Sequence, residues 1–336
     1  MAMPNHRHPQ KYYTKWFKAL FFNSNRSSRA VFCAVLAVGC LCLAFVYLET
    51  DMDRKIRPQS VLMHQTPSDQ KGDEETTALT AYSLLRRDRS GAAILDMLLA
   101  HAYCSAKSLH YGGVCLEINS QYPHQPAHEE LLNSLGLEKI FLPFVPCPSR
   151  SNSSAIVLPR DIYFAPDTAI WTEEWLSEMR LFRRPMPPMV GQRPVQVAVH
   201  IRRGDVSLCM KEESFRYLPN LHYQKILENM VLPQHPNANI TIFSESENAD
   251  DWHGLSNYHL ALDVNPVDVW KSMVDADVLV MSKSSFSLVP AVFSAGEVIY
   301  TPFWHNPLST WNIVPESIVA ESQREVNRLQ QRCHLQ

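Results

Sequence analysis

Two runs of apolar residues in the second half of the chain each end in a cluster of polar side chains. After Val195 to Val199 come His200, Arg202, Arg203 and Asp205. The guanidinium fork of arginine matches two phosphate oxygens, and its charge does not titrate away. Because ligands of open α/β sheets bind beyond the carboxyl ends of the strands, this cluster predicts a phosphate site. The alternative is a salt-bridged turn formed by Arg203 and Asp205.

The second cluster follows the apolar run Val278 to Met281 and is rich in hydroxyl groups. It contains Ser282, Ser284 and Ser285, and a helical pattern begins near Phe286. A serine at a helix N-cap, with free amide groups behind it and the positive end of the helix dipole, can bind an anion. Ordinary capping is the alternative, but a second phosphate-type cluster in the same part of the chain favours an anion site.

The spelling HIRRGD, followed about 80 residues later by SSFS, resembles the superfamily of the α1,2-, core α1,6- and protein O-fucosyltransferases. The resemblance is concentrated in residues 195–305. It implies a two-lobed, GT-B-like fold whose second lobe binds GDP-fucose without a metal. It also implies that Arg202 contacts the β-phosphate, that His200 reaches the nucleoside, and that the serine cluster holds the diphosphate from the opposite side.

The expected donor-binding residues are therefore His200, Arg202, Arg203, Asp205, Asp268, Ser284, Ser285 and Phe286. Asp268 is included because relatives place an acidic residue, which contacts guanine, about sixteen positions before the serines. Asp263 competes for that role.

The catalytic residues expected from the chemistry are a cation for the leaving group and a base for the acceptor hydroxyl. Arg202 would stabilise the negative charge that accumulates on the departing diphosphate. In core-fucosylating relatives the base is a glutamate ten residues beyond the motif histidine, but this position is Met210. Glu212 and Glu213 are the nearby candidates, and a mechanism without deprotonation stays open.

These observations predict an inverting, metal-independent transferase that moves fucose from GDP-fucose to a glycan or glycoprotein. The alternatives are a non-catalytic scaffold that binds carbohydrate or nucleotide sugar, and a transferase that uses another GDP-sugar. Acceptor contacts are expected from loops of the first lobe and from Arg216 to Asn220. Asp275 and Asp277 have the D-x-D spelling of a metal motif, but we interpret them as a helix end and a strand start. No cofactor and no metal site are predicted.

The charge distribution predicts the membrane topology and the cellular location of the protein. The first 29 residues carry six cationic side chains and no carboxylate, which leaves 25 cations against 34 acids, a net −9, in the remainder. Between them Ala30 to Leu48 forms nineteen residues without a charge, which is long enough for a membrane-spanning helix. The cationic flank predicts a cytosolic N-terminus and a lumenal catalytic part, as in a type II protein of the Golgi membrane or endoplasmic reticulum. The acidic lumenal part lacks a basic face, so no nucleic-acid partner is expected.

An oxidising lumen has two further consequences. The sequons at Asn152 and Asn239 are candidate glycosylation sites. The five cysteines beyond the predicted anchor are an odd number, so at least one lacks an intrachain partner; these are Cys104, Cys115, Cys147, Cys209 and Cys333.

The predicted organisation is a doubly lobed α/β protein with two Rossmann-like lobes behind a single-pass helix. Its segments are a tail (1–29), an anchor (30–48), a stem (49–79), an acceptor-side lobe (80–190) and a GDP-sugar-binding lobe (191–336). The proline-rich stretch 184–194 marks the connection between the lobes. In the first lobe we expect a helix beginning at Ala78 that contains Leu84 and Leu85, and a strand from Ile140 to Phe144.

Overall fold

The computed structural model describes residues 79–149, 151–163, 171–181, 193–209, 214–247 and 252–334. These ranges belong to one compact unit, Glu75–Gln336. Across them, no helix is both long and apolar enough to cross a bilayer. The predicted tail, the anchor at 30–48 and nearly all of the stem lie outside the described residues. They stay predictions, as does the boundary between the predicted lobes.

The amino-terminal part of this unit is built on a parallel sheet with the strand order β3-β2-β1-β4. Its strands are β1 (Thr80–Leu84), β2 (His110–Leu116), β3 (Val145–Pro146) and β4 (Ala155–Val157). The accompanying helices are α1 (Ser90–Ala106), α2 (Gln125–Leu135), α3 (Glu138–Phe141), α4 (Arg160–Tyr163) and α5 (Glu173–Leu181).

The carboxyl-terminal part contains a parallel sheet with the order β10-β9-β8-β5-β6-β7. Its strands are β5 (Gln196–His200), β6 (Asn239–Ser244), β7 (His259–Leu262), β8 (Val278–Val280), β9 (Glu297–Tyr300) and β10 (Asn312–Ile313). Its α-helices are α6 (Asn220–Ile226), α7 (Pro266–Asp275), α8 (Ser285–Phe293) and α9 (Glu316–Gln330). Short turns complete it: a 3₁₀ turn at Ser214–Arg216, a π-helical extension of α6 at Leu227–Val231 and a 3₁₀ turn at Gln331–His334.

The order of the second sheet fixes where a ligand would bind. The chain builds β5, β6 and β7 toward one edge, then returns to place β8 on the other side of β5 and continues to β9 and β10. This is the order of a doubly wound Rossmann sheet, and its crevice opens where the direction reverses, between β5 and β8. The polar clusters predicted from the sequence follow these same two strands.

The predicted α/β class with parallel sheets is confirmed, but the predictions for two segments of the amino-terminal part are wrong. Thr80–Leu84 is the strand β1, with Ala81 and Ser83 buried in alternation, and not the start of a helix. The error arose because Leu84 and Leu85 continue, toward the N-terminus, the three- and four-residue spacing of apolar residues in α1. Of the predicted strand Ile140 to Phe144, the first two residues instead end the short helix α3, because Phe141 donates its amide to the Leu137 carbonyl and closes a helical turn; residues 142–144 form neither a helix nor a strand.

The cysteine prediction is confirmed within the described residues. Cys115 bonds to Cys147 and Cys209 to Cys333, which leaves Cys104 free and buried. Each disulfide lies in a different sheet region. The first joins β2 to the residue after β3, and the second joins the loop after β5 to the turn that follows α9.

The two sheet regions pack closely where α1 meets α8. At Gly91, in the first turn of α1, an added Cβ would lie 2.6 Å from the Phe286 amide nitrogen and 2.7 Å from its Cα. Only glycine allows this approach without a backbone shift. The start of α8, which carries the serine cluster, is therefore held against the start of α1.

Candidate functional site

The two polar clusters meet at the crevice between β5 and β8. Nδ1 of His200, the last residue of β5, lies 3.0 Å from the hydroxyl of Ser282, which follows β8. The imidazole also packs against Phe286, with ring centroids 5.3 Å apart. Residues more than 80 positions apart thus form one site, because β5 and β8 are neighbouring parallel strands.

His200 is a neutral hydrogen-bonding group in this site. Burial, and then the charge of Arg202, lower the pKa of its imidazole to about 3. Near neutral pH the ring offers one donor and one acceptor, and the Ser282 hydroxyl occupies one of them. His200 therefore presents no charge to a ligand.

Arg202 follows β5 at the crevice, and a carboxylate of its own loop holds its guanidinium. Its Nε donates to Asp205 at 3.0 Å and its Nη2 donates at 2.7 Å, a bidentate pair. The side chain of Asp205 is 39 % exposed and that of Arg202 is 17 % exposed. Burial raises the pKa of Asp205, but the hydrogen bonds and charge of Arg202, with Arg89 and Arg216 nearby, bring it below its ordinary value. The fork geometry that binds this carboxylate also suits a phosphate.

Arg203, predicted as a donor ligand, does not reach the surface. Its side chain is fully buried; it donates to the Arg202 carbonyl and to Oδ1 of Asn220, and its guanidinium lies 4.6 Å from the Tyr217 ring centroid. Arg203 therefore supports the loop in this structure, and its predicted contact with a donor stays a prediction. No sequence pattern indicated which arginine points inward, because both follow the same strand.

The serine cluster combines capping with a partly open face. Ser284 is the N-cap of α8, and its buried hydroxyl accepts from the Phe286 amide at 3.2 Å. Ordinary capping is thus present here. Ser285 and Phe286 are partly exposed and stand at the crevice end of the helix.

The two acidic candidates for guanine lie on the β7 side of the crevice. Asp263 follows β7 directly, at a backbone φ of +54°, and accepts a hydrogen bond from the Ser246 amide at 2.9 Å. Asp268 lies in the first turn of α7, where its side chain is 67 % exposed. The structure brings Asp263 into the loops at the end of the sheet, beside the chain that follows β6, and leaves Asp268 on the helix surface.

Other predicted residues have simpler outcomes. Glu212 and Glu213, the candidate bases, and Met210 lie outside the described residues. Asn152 and Asn239 are both exposed, and their glycosylation stays a prediction. Asp275 ends α7 and Asp277 precedes β8, which confirms the interpretation of the D-x-D spelling as a helix end and a strand start.

Asp277 has a structural role, since it accepts from Arg193 through both carboxylate oxygens. Over the part of the chain that the structure describes, no three His, Cys, Asp or Glu side chains are grouped to hold a metal.

The sequence interpretation missed a group of residues around the crevice mouth. Arg89, just after β1, lies 3.4 Å from Glu245, which follows β6. Burial raises the pKa of Glu245, with Arg89 opposing this rise. The sequence RRDRSG at residues 86–91 contains these arginines. Because β1 was predicted as a helix, the arginines were not recognised as polar residues at the end of a strand.

Comparison with known proteins gives weak structural likeness. No protein-family model matches this sequence, and no curated protein matches it. The chain is similar to the solved structure of E. coli heptosyltransferase WaaC with ADP-2-deoxy-2-fluoro heptose at 9 % identity and a TM-score of 0.37, covering 75 % of this chain and 99 % of that one. It is similar to E. coli ADP-heptose LPS heptosyltransferase II at 9 % identity and a TM-score of 0.35, covering 76 % and 99 %. We draw no function from likeness at this level.

Proposed function

We propose that this protein is a glycosyltransferase that transfers fucose from GDP-fucose to a glycan or glycoprotein. The observation that carries the proposal is the meeting of HIRRGD and SKSSFS at the reversal point of a doubly wound sheet, with His200 bonded to Ser282. The fucose donor is proposed from the resemblance of these two motifs to fucosyltransferases. The type II topology and the Golgi location are proposed from the sequence of residues 1–48.

In this proposal the diphosphate replaces Asp205 as the partner of Arg202. The exposed Asp205 carboxylate is released to solvent, while the guanidinium fork takes two phosphate oxygens. The start of α8 approaches the diphosphate from the other side and contributes the positive end of its dipole. His200 stays neutral and orients the donor through its hydrogen bonds.

Transfer then follows an inverting displacement. The acceptor hydroxyl oxygen attacks C1 of fucose from the face opposite the leaving group, and the bond from C1 to the β-phosphate oxygen breaks. GDP leaves with the electron pair, and Arg202 stabilises its developing charge. The acceptor proton passes to a base, for which Glu212 and Glu213 remain the candidates. No metal is assigned a step.

The test measures GDP release from GDP-fucose by the purified full-length chain, with and without glycan acceptors. Arg202→Ala is expected to lower turnover by about 100-fold or more, as for the loss of one charge-stabilising group. Arg328→Ala is the matched control, because Arg328 forms the same kind of bidentate pair, with Glu325, on α9. It should keep turnover within about twofold, since surface pairs contribute little.

Three outcomes decide between the proposal and its alternatives. Turnover that survives Arg202→Ala, or that requires manganese, contradicts the mechanism. Faster release from GDP-mannose than from GDP-fucose supports another GDP-sugar. A thermal shift with GDP but no release with any acceptor supports the scaffold.

A further inference from the structure

An exposed aromatic surface lies beside the crevice at the carboxyl end of β9. We call Phe215, Arg216 and Trp304 the aromatic platform. Phe215 is 54 % exposed and Trp304 is 36 % exposed, with ring centroids 5.7 Å apart. The Arg216 guanidinium lies 5.2 Å from the Phe215 centroid and 5.0 Å from the Trp304 centroid. Two large rings and a cation are therefore fixed together at the surface.

The platform is tied to both polar clusters of the crevice. The backbone carbonyl of Phe215 accepts from Nζ of Lys283, within the serine cluster, at 3.4 Å. Tyr217, the next residue after Arg216, packs its ring against the buried guanidinium of Arg203. The motif after β5 and the motif after β8 thus jointly position the platform, although neither contributes a ring to it.

The two sides of the crevice differ in chemistry. On the β6 and β7 side stand the carboxylates of Glu245 and Asp263, which suit the N–H groups along the edge of a guanine base. On the β9 side stand the two exposed rings, and Arg216 lies beside both of them. Arg202, the candidate phosphate ligand, follows β5, which lies between these two sides of the sheet. A donor whose base takes the acidic side would direct its sugar toward the rings.

We propose that the aromatic platform is the acceptor subsite and that it binds a pyranose ring of an uncharged glycan by stacking. The negative face of an aromatic ring attracts the positively polarised C–H groups on the apolar face of a pyranose. Arg216 adds donors for its hydroxyl groups. This inference rests on the proposed function, because it takes the crevice as the donor site. It extends the sequence expectation, which included Arg216 but neither ring.

The experiment is saturation-transfer-difference NMR on the full-length chain in the presence of GDP. The probes are N-acetyllactosamine, N,N′-diacetylchitobiose and methyl α-mannoside, each supplied alone. We expect saturation transfer to ring C–H protons of at least one probe. Trp304→Ala should weaken binding of that probe about tenfold, near the upper limit for one aromatic contact. Trp304→Phe should restore most of it.

Two further variants separate the platform from a general loss of structure. Phe215→Ala repeats the test from the other ring. Ile313→Ala removes another exposed apolar side chain, 55 % exposed on β10, and should leave probe binding unchanged. The affinity for GDP, read from the thermal shift, should change less than threefold in every variant.

The outcomes distinguish this proposal from the proposed function. Absence of transfer to all three probes, or equal binding by the natural chain, Trp304→Ala and Phe215→Ala, overturns the platform. Weakened GDP binding in Trp304→Ala also overturns it, since the rings would then stack on the base. Probe binding that depends on Trp304, in a chain that never releases GDP from GDP-fucose, supports the platform and contradicts the transferase.

Discussion

The two sheets carry arginine pairs at equivalent places and use them differently. β1 and β5 are each the first strand of a sheet and each lies between two others; β1 is followed by Arg86 and Arg87, and β5 by Arg202 and Arg203. After β1, Arg86 donates to Asp96, a carboxylate of α1 that is 3 % exposed and also accepts from Arg160 at 2.7 Å.

After β5, the carboxylate partner comes from the same loop, three residues away, and reaches solvent. Arg86 also pairs with Asp88 of its own loop, but Asp96 ties it in addition to a second element of the core, whereas Asp205 is a partner that a phosphate can displace from Arg202. An arginine thus forms a structural salt bridge in one sheet region and is available to bind a ligand in the other. The difference depends on the additional buried carboxylate beside Arg86, and not on the arginine.

The largest expected effects in the two regions concern their disulfides. In the chain-entropy account, Cys209–Cys333, with a sequence separation of 124, contributes about 5 kcal/mol, and Cys115–Cys147, with a separation of 32, contributes about 4 kcal/mol. Replacing both cysteines of a pair by alanine should therefore cost more in the second sheet. Urea unfolding of the full chain measures this difference. Cys104→Ala, at the free buried cysteine, is the control, and the reverse order of the two pairs would contradict the account.

The second expected difference is in the carboxylates that hold the arginines. Asp96→Asn should lower the free energy of unfolding by about 2 kcal/mol, because it removes the charged acceptor that Arg86 and Arg160 share, while Arg86 keeps its pair with Asp88. Asp205→Asn should cost about 1 kcal/mol or less, because its pair is partly solvated.

Urea unfolding of the two variants side by side checks this second difference. Equal losses would mean that Arg202 and Asp205 form a fixed structural pair, and the comparison between the two sheets would fail.

The smallest expected difference appears in acid. Burial, then the charge of Lys283, lower the pKa of His222 to about 3 from the ordinary 6.5, and its two nitrogens lie 2.8 Å from the hydroxyls of Thr301 and Ser322. Below pH 6.5 the unfolded chain gains a proton here that the folded protein does not bind until about pH 3. Stability therefore falls as pH decreases through this window, by about 1.4 kcal/mol between pH 7.5 and 5.5.

His222→Gln should remove this part of the pH dependence. The matched variant in the first sheet region is His128→Gln. Burial lowers the pKa of His128 too, but the ring also bonds to the Asp88 carbonyl, which opposes the decrease, so the variant should remove less. Urea unfolding at the two pH values checks both, with exposed His124→Gln as the control. An unchanged acid loss in His222→Gln would refute the assignment.

Much of the second sheet was predictable because its strands are short, apolar and separated by amphipathic helices. The apolar run Val195 to Val199 lies almost entirely in β5, and the helix end expected at Asp275 is the end of α7. The first sheet was harder. β1 alternates buried and partly buried positions and leads within a few residues into an apolar helix, so the helical spacing extended backward over it. That error also concealed the arginines of residues 86–91 as a group at a strand end.

The residues of the candidate site were likewise predictable only in part. His200, Arg202 and Ser284 were predictable because polar residues stood where apolar strands stop. The burial of Arg203, the exposure of Trp304 and the position of Glu245 were not, since these depend on what packs over each loop. No local pattern in the sequence specifies such contacts.

The sequence by itself determined the alternation of strands and helices, the residue types at the strand ends and the odd count of cysteines beyond the predicted anchor. These follow from local periodicity and composition. The tertiary structure decided that β5 and β8 are neighbours, that Asp96 fixes Arg86 while Asp205 only holds Arg202, and that two rings meet beside the crevice. The reason is that strand order and side-chain partners are set by contacts between residues far apart in the chain, where no periodicity connects them.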